Sequence, residues 1–263
     1  MSDRQDVEPN QSVLLPVGSS PLPPPQSMSL TVVEVVDLGP SLRQIRLGGE
    51  DLIDFTFAPG QDLMLRLPRP NGELISRRYT IRGTNPRAGQ ADLNVVMHGD
   101  GPAARWARAA QPGQQLAEVV GPRGKITIDP DADWHLFLGD ETYIAGTLAM
   151  LEALPTSASA QALLEVSTGA DEQPFASRAG IHLDWLRRVD EPPGDADRLL
   201  HELRRWQAPP GRGHVYIAAE LRVALTLRDE VLGGGLPRDQ ISAKGYWSRG
   251  RANASRGEPD DPA

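Results

Sequence analysis

The segment Arg77-Arg78-Tyr79-Thr80-Ile81-Arg82 places chemically versatile side chains at adjacent positions of a predicted strand, just after a turn signal at Asn71-Gly72. Alternation along a strand sends Arg78, Thr80 and Arg82 to one face and Arg77, Tyr79 and Ile81 to the other. An aromatic ring can stack, a hydroxyl can hydrogen-bond a ring edge, and a guanidinium can bind a phosphate. The segment therefore indicates a site for a planar, anionic ligand, although an Arg-rich edge strand that only resists aggregation has the same pattern.

A second candidate site is the glycine-rich turn that leads into a predicted helix, within residues 98–106. Pro102 at the first helical position gives up no hydrogen bond, and the helix dipole adds to the attraction of the following amides for an anion. Ala103 and Ala104 are small enough to let a pyrophosphate approach the backbone. A plain strand–turn–helix needs the same glycine and proline. This segment therefore supports an anion site only in combination with the Arg-Tyr-Thr strand.

The elements that must position these residues are short strands separated by turn signals, and they predict an antiparallel barrel. A helix formed by the Ala-rich run after Pro102 interrupts them. The predicted strands are Leu30–Asp37, Ser41–Leu47, Asp62–Leu67, Arg77–Arg82, Asp92–Met97, Gln115–Val120 and Lys125–Ile128.

After Asp129 strands and helices alternate, which predicts an open parallel sheet with a polar, helical insert between two Pro-Pro pairs. Ligands of such sheets bind at the carboxyl ends of strands. Loops at strand ends are polar in any protein, however, and no G-x-G-x-x-G fingerprint occurs.

The predicted elements are strands Trp134–Leu138, Ala162–Val166, Val215–Ala218 and Ile241–Lys244, and helices Glu141–Leu154 and Leu221–Leu232. Polar strand ends are predicted at Gly139–Thr142, Ser167-Thr168, Ala219-Glu220 and Gly245-Tyr246. The Arg187-Arg188 and Arg204-Arg205 pairs are predicted on solvated faces of polar helices. Trp185 and Leu186, beside the first pair, are predicted to be core residues.

Composition excludes several classes of function. The chain of 263 residues has no cysteine and a formal net charge of −8, which removes thiolate chemistry and makes a nucleic-acid surface improbable. Residues 28–128 carry a net charge of +2, so the basic excess lies in the half with the Arg-rich strand. We expect no membrane span, no signal peptide and no metal site, and the absence of cysteine fits a reducing cytoplasm.

Six segments in order resemble the siderophore-interacting proteins, which are FAD-dependent ferric-siderophore reductases of the ferredoxin-reductase-like superfamily. They span roughly residues 30–252. The segments are Arg77–Arg82, His98–Ala107, Gly121–Gly124, Gly139–Thr142, Asp184–Arg188 and Gly245–Arg251. Six prolines and little apolar periodicity predict a disordered tail at 1–27, and residues 253–263 are predicted to form a second, polar tail. The resemblance implies a β-barrel FAD domain at 28–130 and an α/β domain for NAD(P)H at 131–252.

The resemblance also implies roles for individual residues. Arg77 would hold the flavin pyrophosphate with Arg78 beside it, Tyr79 would stack on the isoalloxazine, and Thr80 would lie near flavin N5. The remaining phosphate and adenine would be wrapped by His98, Gly101, Pro102, Ala103, Ala104 and Trp106. The nicotinamide nucleotide would be lined by Gly139, Asp140, Glu141, Thr142, Glu220 and Trp247. A ferric siderophore would meet Arg66, Arg123 and Arg249.

Two departures from the family pattern lie in the nucleotide half. Tyr143–Gly146 stands where the family usually has Ala-Leu-Pro-Ala, and Ala219-Glu220 stands where it has Gly-Glu. They leave NADPH, NADH and reduced ferredoxin open as electron donors. The implied function is a cytoplasmic ferric-siderophore reductase. The alternatives are a non-catalytic flavin- or siderophore-binding protein and a flavin electron-transfer component serving an oxygenase.

Overall fold

The computed structural model describes residues 21–69, 71–97, 101–189 and 191–249. His98 lies outside these ranges, as do the predicted tail at 253–263 and most of the predicted tail at 1–27. Within the described ranges the chain forms two packed halves, a barrel followed by an α/β sheet.

Six antiparallel strands close the barrel in the order β1-β2-β5-β4-β3-β6, which confirms the predicted architecture. Every second residue of a strand points inward, so alternating residues such as Leu63, Leu65 and Leu67 are fully buried in the barrel core. A helix, α1, connects β5 to β6. The elements are β1 Gln26–Asp37, β2 Leu42–Gly48, β3 Asp62–Pro68, β4 Leu74–Asn85, β5 Gln90–Val96, α1 Pro102–Ala109 and β6 Gln115–Arg123.

The predicted strand Lys125–Ile128 was wrong, because this segment pairs with no strand. Ile128 is buried in the apolar core of the second half, and Ile126 packs against the same core. The apolar residues that suggested a strand therefore serve to attach the connecting segment to the α/β half.

The second half is an open parallel sheet, as predicted, with its strands in the order β11-β10-β7-β8-β9. Four of these five strands were predicted, and β9 was not. The chain moves from β7 outward through β8 and β9 and then returns to the other side of β7, so a topological switch lies between β7 and β10. The elements are β7 Trp134–Gly139, α2 Ile144–Ala153, β8 Ser159–Val166, β9 Gly180–Arg187, α3 Asp197–Arg205, β10 Gly213–Glu220, α4 Leu221–Gly233 and β11 Ile241–Trp247. Helix α3 is the predicted polar insert and carries Arg204 and Arg205.

The prediction for Arg187 and Arg188 was wrong, since Arg187 ends strand β9 and Arg188 is buried. Arg187 is exposed and pairs with Glu172 at 2.7 Å. Arg188 contacts the buried carboxylates of Glu141 and Glu165 instead of water. A buried arginine is tolerated only when it is paired in this way.

The two halves meet at a seam that includes the pairs Ser41–Asp171 and Arg82–Glu152. The backbone N and Oγ of Ser41 donate to Oδ1 of Asp171 at 3.0 and 2.9 Å. Arg82 donates to both carboxylate oxygens of Glu152, each at 2.7 Å. The first pair joins the barrel to the loop after β8, and the second joins β4 to α2.

Candidate functional site

The barrel side of the candidate site is built by β4 and α1. Tyr79 lies opposite Leu63 of β3 and packs against the barrel core, while Trp106 of α1 is buried in that core. Their ring centroids are 6.1 Å apart, with 35° between the ring planes. The structure thus brings together two aromatic residues, 27 positions apart, that the resemblance assigns to one cofactor.

Both rings carry a buried hydrogen-bonding atom that no described residue satisfies. Tyr79 Oη and Trp106 Nε1 have no hydrogen-bond partner among the described residues. Burial raises the pKa of Tyr79 above its usual range, so its hydroxyl remains a donor. A buried unpaired donor costs roughly 1–3 kcal/mol, and folded proteins retain few of them. Two such atoms on neighbouring aromatic rings fit a bound ligand with a polar ring system, as FAD has.

Arg77 adds positive charge beside these rings. Its Nη1 donates to the carbonyl oxygen of Ser76 at 2.6 Å. Desolvation by burial lowers the pKa of Arg77, and the nearby Arg69 lowers it further by repulsion, against the opposing influence of Tyr79. An anion at this position would relieve both unfavourable effects, so the arrangement fits a phosphate group.

The start of α1 has the form that the sequence predicted. Gly101 is the extended N-cap residue, Pro102 occupies the first turn, and no described side chain caps this end. A Cβ atom added at Gly101 would meet no described residue within 4 Å. Ala103 packs against the barrel core and Ala104 is buried, so the open part of the helix start lies around Gly101.

Alternation predicted that Arg78, Thr80 and Arg82 share the opposite face of β4, and the structure shows Thr80 and Arg82 of this face in contact with the α/β half. Arg78 donates from Nε to Oδ1 of buried Asp62 at 2.8 Å. Thr80 is buried, and its Oγ1 lies 3.3 Å from Oη of Tyr246 on β11. Tyr79 and Thr80 therefore act on different sides of one strand.

The sheet side of the candidate site is organised by Asp140 at the end of β7. Its Oδ1 accepts hydrogen bonds from Thr142 N at 2.9 Å and Thr142 Oγ1 at 2.5 Å. Its Oδ2 accepts from Glu220 N at 2.9 Å and Trp247 Nε1 at 2.7 Å. Burial raises the pKa of Asp140, and the bonds from Thr142 and Trp247 oppose that rise. Sheet topology thus brings four predicted residues together at the switch point, with Gly139 as the last buried residue of β7.

Glu220 caps the next helix on the same edge. Its Oε2 accepts from the backbone N of Arg222 at 2.5 Å and of Val223 at 3.2 Å, and its Oε1 accepts from Arg249 N at 3.1 Å. These bonds satisfy amides that a helix start otherwise leaves open. All four carboxylate oxygens of Asp140 and Glu220 are therefore bonded within the chain.

Glu141 lies in the same crevice, but its carboxylate is held by Arg188. Arg188 also donates to Glu165 at 3.0 Å. Burial raises the pKa of Glu165 to about 7, although Arg188 opposes the rise. Sequence reasoning missed Arg188 and Glu165, because no local pattern connects a residue of β8 to one that follows β9.

The three arginines predicted for the substrate lie on different elements. Arg66 of β3 donates to Ser76 Oγ at 3.0 Å. Arg123 ends β6 in register with Asp62 of β3. Arg249 follows β11, and its guanidinium donates to the carbonyl of Pro193. Their common role stays a prediction.

The described ranges contain no helix that is long and apolar enough to cross a membrane. They also contain no cluster of three or more His, Asp or Glu residues suited to hold a metal ion.

Comparisons with known proteins match both halves. The family model for the "Siderophore-interacting FAD-binding domain" matches residues 65–126, and that for "Siderophore-interacting protein" matches residues 132–250. The first range holds Tyr79 and Trp106, and the second holds Asp140 and Glu220.

Individual relatives agree with the family models. The crystal structure of a siderophore utilization protein from T. fusca is 32% identical, with a TM-score of 0.81, over 88% of this chain and 96% of that one. Ferric vibriobactin reductase ViuB of Vibrio cholerae is 30% identical over 237 residues, which cover 80% of this chain and 85% of ViuB. Three uncharacterized mycobacterial proteins are 34% identical over 186 residues, and the matched region spans 65% of their length. The ferredoxin reductase of carbazole 1,9a-dioxygenase, 18% identical with a TM-score of 0.66, has the same fold.

Proposed function

The chain belongs to the siderophore-interacting protein family, and from this premise we propose that it is a cytoplasmic, FAD-dependent ferric-siderophore reductase. Its electrons would come from NAD(P)H or reduced ferredoxin and pass to Fe(III) in the siderophore. The observation that carries the proposal is the pair of buried donors without partners, Tyr79 Oη and Trp106 Nε1, beside the desolvated Arg77.

These residues would hold FAD in three ways. The Tyr79 ring would stack on the ring system, Arg77 would neutralise the pyrophosphate, and the open turn at Gly101 would leave room for the backbone to approach it. FAD accepts electrons in pairs and releases them singly, which matches a hydride donor to a one-electron acceptor. Electron transfer needs no side-chain acid or base, so Asp140 and Glu141 would shape the site without exchanging protons.

The position of polar residues at the switch point of the sheet supports NAD(P)H as an electron donor in this proposal. Asp140, Thr142, Glu220 and Trp247 line the switch point of the sheet, where open α/β sheets bind ligands. Because the carboxylates are already bonded internally, they would form the wall of a nicotinamide pocket and not its phosphate contacts. Arg66, Arg123 and Arg249 would offset the negative charge of a ferric siderophore.

The departures at residues 143–146 are accommodated by the packing of α2. Tyr143 is fully buried. A Cβ atom at Gly146 would lie 2.7 Å from Tyr143 Cε2 and 3.1 Å from Thr80 Cγ2. The large Tyr143 and the small Gly146 therefore compensate each other, and α2 still packs closely on β4.

An anaerobic titration tests the function directly. Purified protein loaded with FAD is titrated with NADPH, NADH and reduced ferredoxin, and ferric chelates are then added. We expect at least one donor to bleach the flavin absorbance and the ferric chelate to restore it. A protein that takes up no FAD refutes the flavin assignment. Bound flavin that stays oxidised with every donor favours the binding-protein alternative.

Arg77→Gln tests the phosphate contact, with Arg82→Gln as the matched control on the same strand. A charge-assisted hydrogen bond contributes about 1.5–3 kcal/mol, so FAD affinity should fall by about 10- to 100-fold in Arg77→Gln. Arg82 contacts Glu152 on the other face, and its loss should leave FAD affinity unchanged. Unchanged FAD retention in Arg77→Gln would refute this role.

A further inference from the structure

We propose that Tyr246 is a positioning residue that orients the hydroxyl of Thr80 across the boundary between the two halves. The inference rests on the proposed function and on the position near flavin N5 that the family resemblance implies for Thr80. It assigns to the α/β half a direct influence on the flavin face of the barrel.

The contact joins residues far apart in the chain. Thr80 Oγ1 of β4 and Tyr246 Oη of β11 are 3.3 Å apart, and Thr80 is 6% exposed. Strand β11 is an edge strand of the sheet, and its carboxyl end meets the barrel at this point. Trp247, the next residue, bonds Asp140, so the end of β11 is fixed from both sides.

Either hydroxyl group can donate in this contact. Burial raises the pKa of Tyr246 above its usual range, with Thr80 opposing the rise, so Tyr246 keeps its proton. A threonine hydroxyl has one hydrogen and two lone pairs. When Tyr246 donates to Thr80 Oγ1, the hydrogen of Thr80 is left to point at another acceptor. The ring nitrogens and carbonyl oxygens of a flavin are such acceptors.

The ring of Tyr246 is held by a residue that departs from the family pattern. Tyr143 packs edge-on against Tyr246, with ring centroids 5.5 Å apart and 70° between the planes. The hydroxyl of Tyr143 points elsewhere, to Met150 Sδ at 3.6 Å. Tyr143 thus limits the movement of Tyr246 while leaving its hydroxyl to Thr80.

A double-mutant cycle tests the proposal in FAD-loaded protein. The variants are Thr80→Val, Tyr246→Phe and the double variant, each of which removes a hydroxyl with little change in shape. The readouts are the FAD dissociation constant, the flavin absorption spectrum and the flavin midpoint potential. The control is Tyr216→Phe, which removes a buried hydroxyl that accepts from Asp129 N, a contact that does not involve Thr80.

We expect Tyr246→Phe to weaken FAD binding by about 2- to 10-fold and to shift the spectrum and potential in the same direction as Thr80→Val. The double variant should match Thr80→Val, because Tyr246 acts through Thr80. Thr80→Ser keeps the hydroxyl and should stay close to the wild type. Tyr216→Phe should leave all three readouts unchanged.

Two outcomes overturn the proposal. One is additive effects in the cycle, and the other is a Tyr246→Phe variant that loses stability but keeps the wild-type spectrum, potential and FAD affinity. The second outcome would make the contact a simple bond between the halves. In both cases a wild-type protein that binds FAD and reduces ferric chelates leaves the proposed function standing, whereas a wild type that binds no FAD refutes that function itself.

Discussion

The barrel side and the sheet side of the candidate site treat their buried polar groups in opposite ways. On the barrel side, Tyr79 Oη and Trp106 Nε1 are buried without a described partner. On the sheet side, every carboxylate oxygen of Asp140 and Glu220 accepts a hydrogen bond from the chain itself. The two aromatic donors lack a described acceptor, whereas these two carboxylates need no ligand to complete their hydrogen bonds.

This difference indicates which residues should control ligand affinity and which should control stability. A buried donor without a partner lowers stability until a ligand supplies an acceptor. A buried carboxylate with all its bonds made contributes to the fold and offers little to an incoming phosphate. Substitutions on the barrel side should therefore change ligand affinity, while substitutions in the sheet should change the free energy of unfolding.

The largest expected effect is that of Arg188→Met. Arg188 neutralises Glu141 and Glu165, and breaking a buried ion pair costs about 3–5 kcal/mol because the remaining charges lose their partner. Urea denaturation of the variant should show this loss in the free energy of unfolding. The control Arg187→Met removes the neighbouring exposed arginine and should have little effect. Equal free energies of unfolding for the two variants would contradict the conclusion that the buried polar groups of the sheet contribute to stability.

Low pH should lower the stability of the fold through His135, which lies at the amino-terminal end of β7 in the same sheet. Burial lowers the pKa of His135 from 6.5 to about 4, protonated His214 adds repulsion, and Asp129 opposes the shift. Between pH 6.5 and 4 the unfolded chain therefore binds more protons than the fold. Stability should fall as the pH drops through this window, by about 3 kcal/mol at its lower end.

Burial also lowers the pKa of His214, although Asp129 opposes this shift. Burial acts to raise the pKa of Asp129, but its hydrogen bonds with Arg212 and His214 lower it overall. Both groups therefore add to the loss of stability at low pH. Unfolding curves at several pH values should show a weaker pH dependence in His135→Gln than in the wild type. Replacing the exposed His182 with glutamine serves as the control. A wild-type slope in His135→Gln would contradict the assignment.

The smallest expected effect is a change in the free energy of unfolding whose sign differs between a barrel variant and a sheet variant. In protein without FAD, Tyr79→Phe should leave the free energy of unfolding unchanged or raise it by about 1 kcal/mol, since the lost hydroxyl has no described partner. Tyr216→Phe should lower it by about 1 kcal/mol, since Tyr216 Oη accepts from Asp129 N at 2.8 Å. FAD affinity should fall only in Tyr79→Phe.

Features with a local pattern could be predicted from the sequence. The alternation along β4 correctly separated Tyr79 from Thr80, because strand geometry fixes the faces. The grouping of Asp140 with Glu220 and Trp247 followed from the rule that the carboxyl ends of parallel strands meet at one edge.

Features that depend on distant partners could not be predicted. Arg188 resembles a solvated arginine because its carboxylate partners lie 47 and 23 residues away in the chain. Ile126 and Ile128 resemble a strand because their alternation is real, but the other half of the protein buries them. Thr80 and Tyr246 are 166 residues apart, and only the packing of the two halves brings their hydroxyls together.

The seam between the halves limits how this protein can be recombined with its relatives. Ser41 and Asp171 belong to different halves, as do Arg82 and Glu152. A chimaera that joins this α/β half to a foreign barrel without Ser41 and Arg82 would leave Asp171 without its barrel donors and Glu152 without its guanidinium. We therefore expect exchange of a whole half to disturb this protein more than substitutions made within one half.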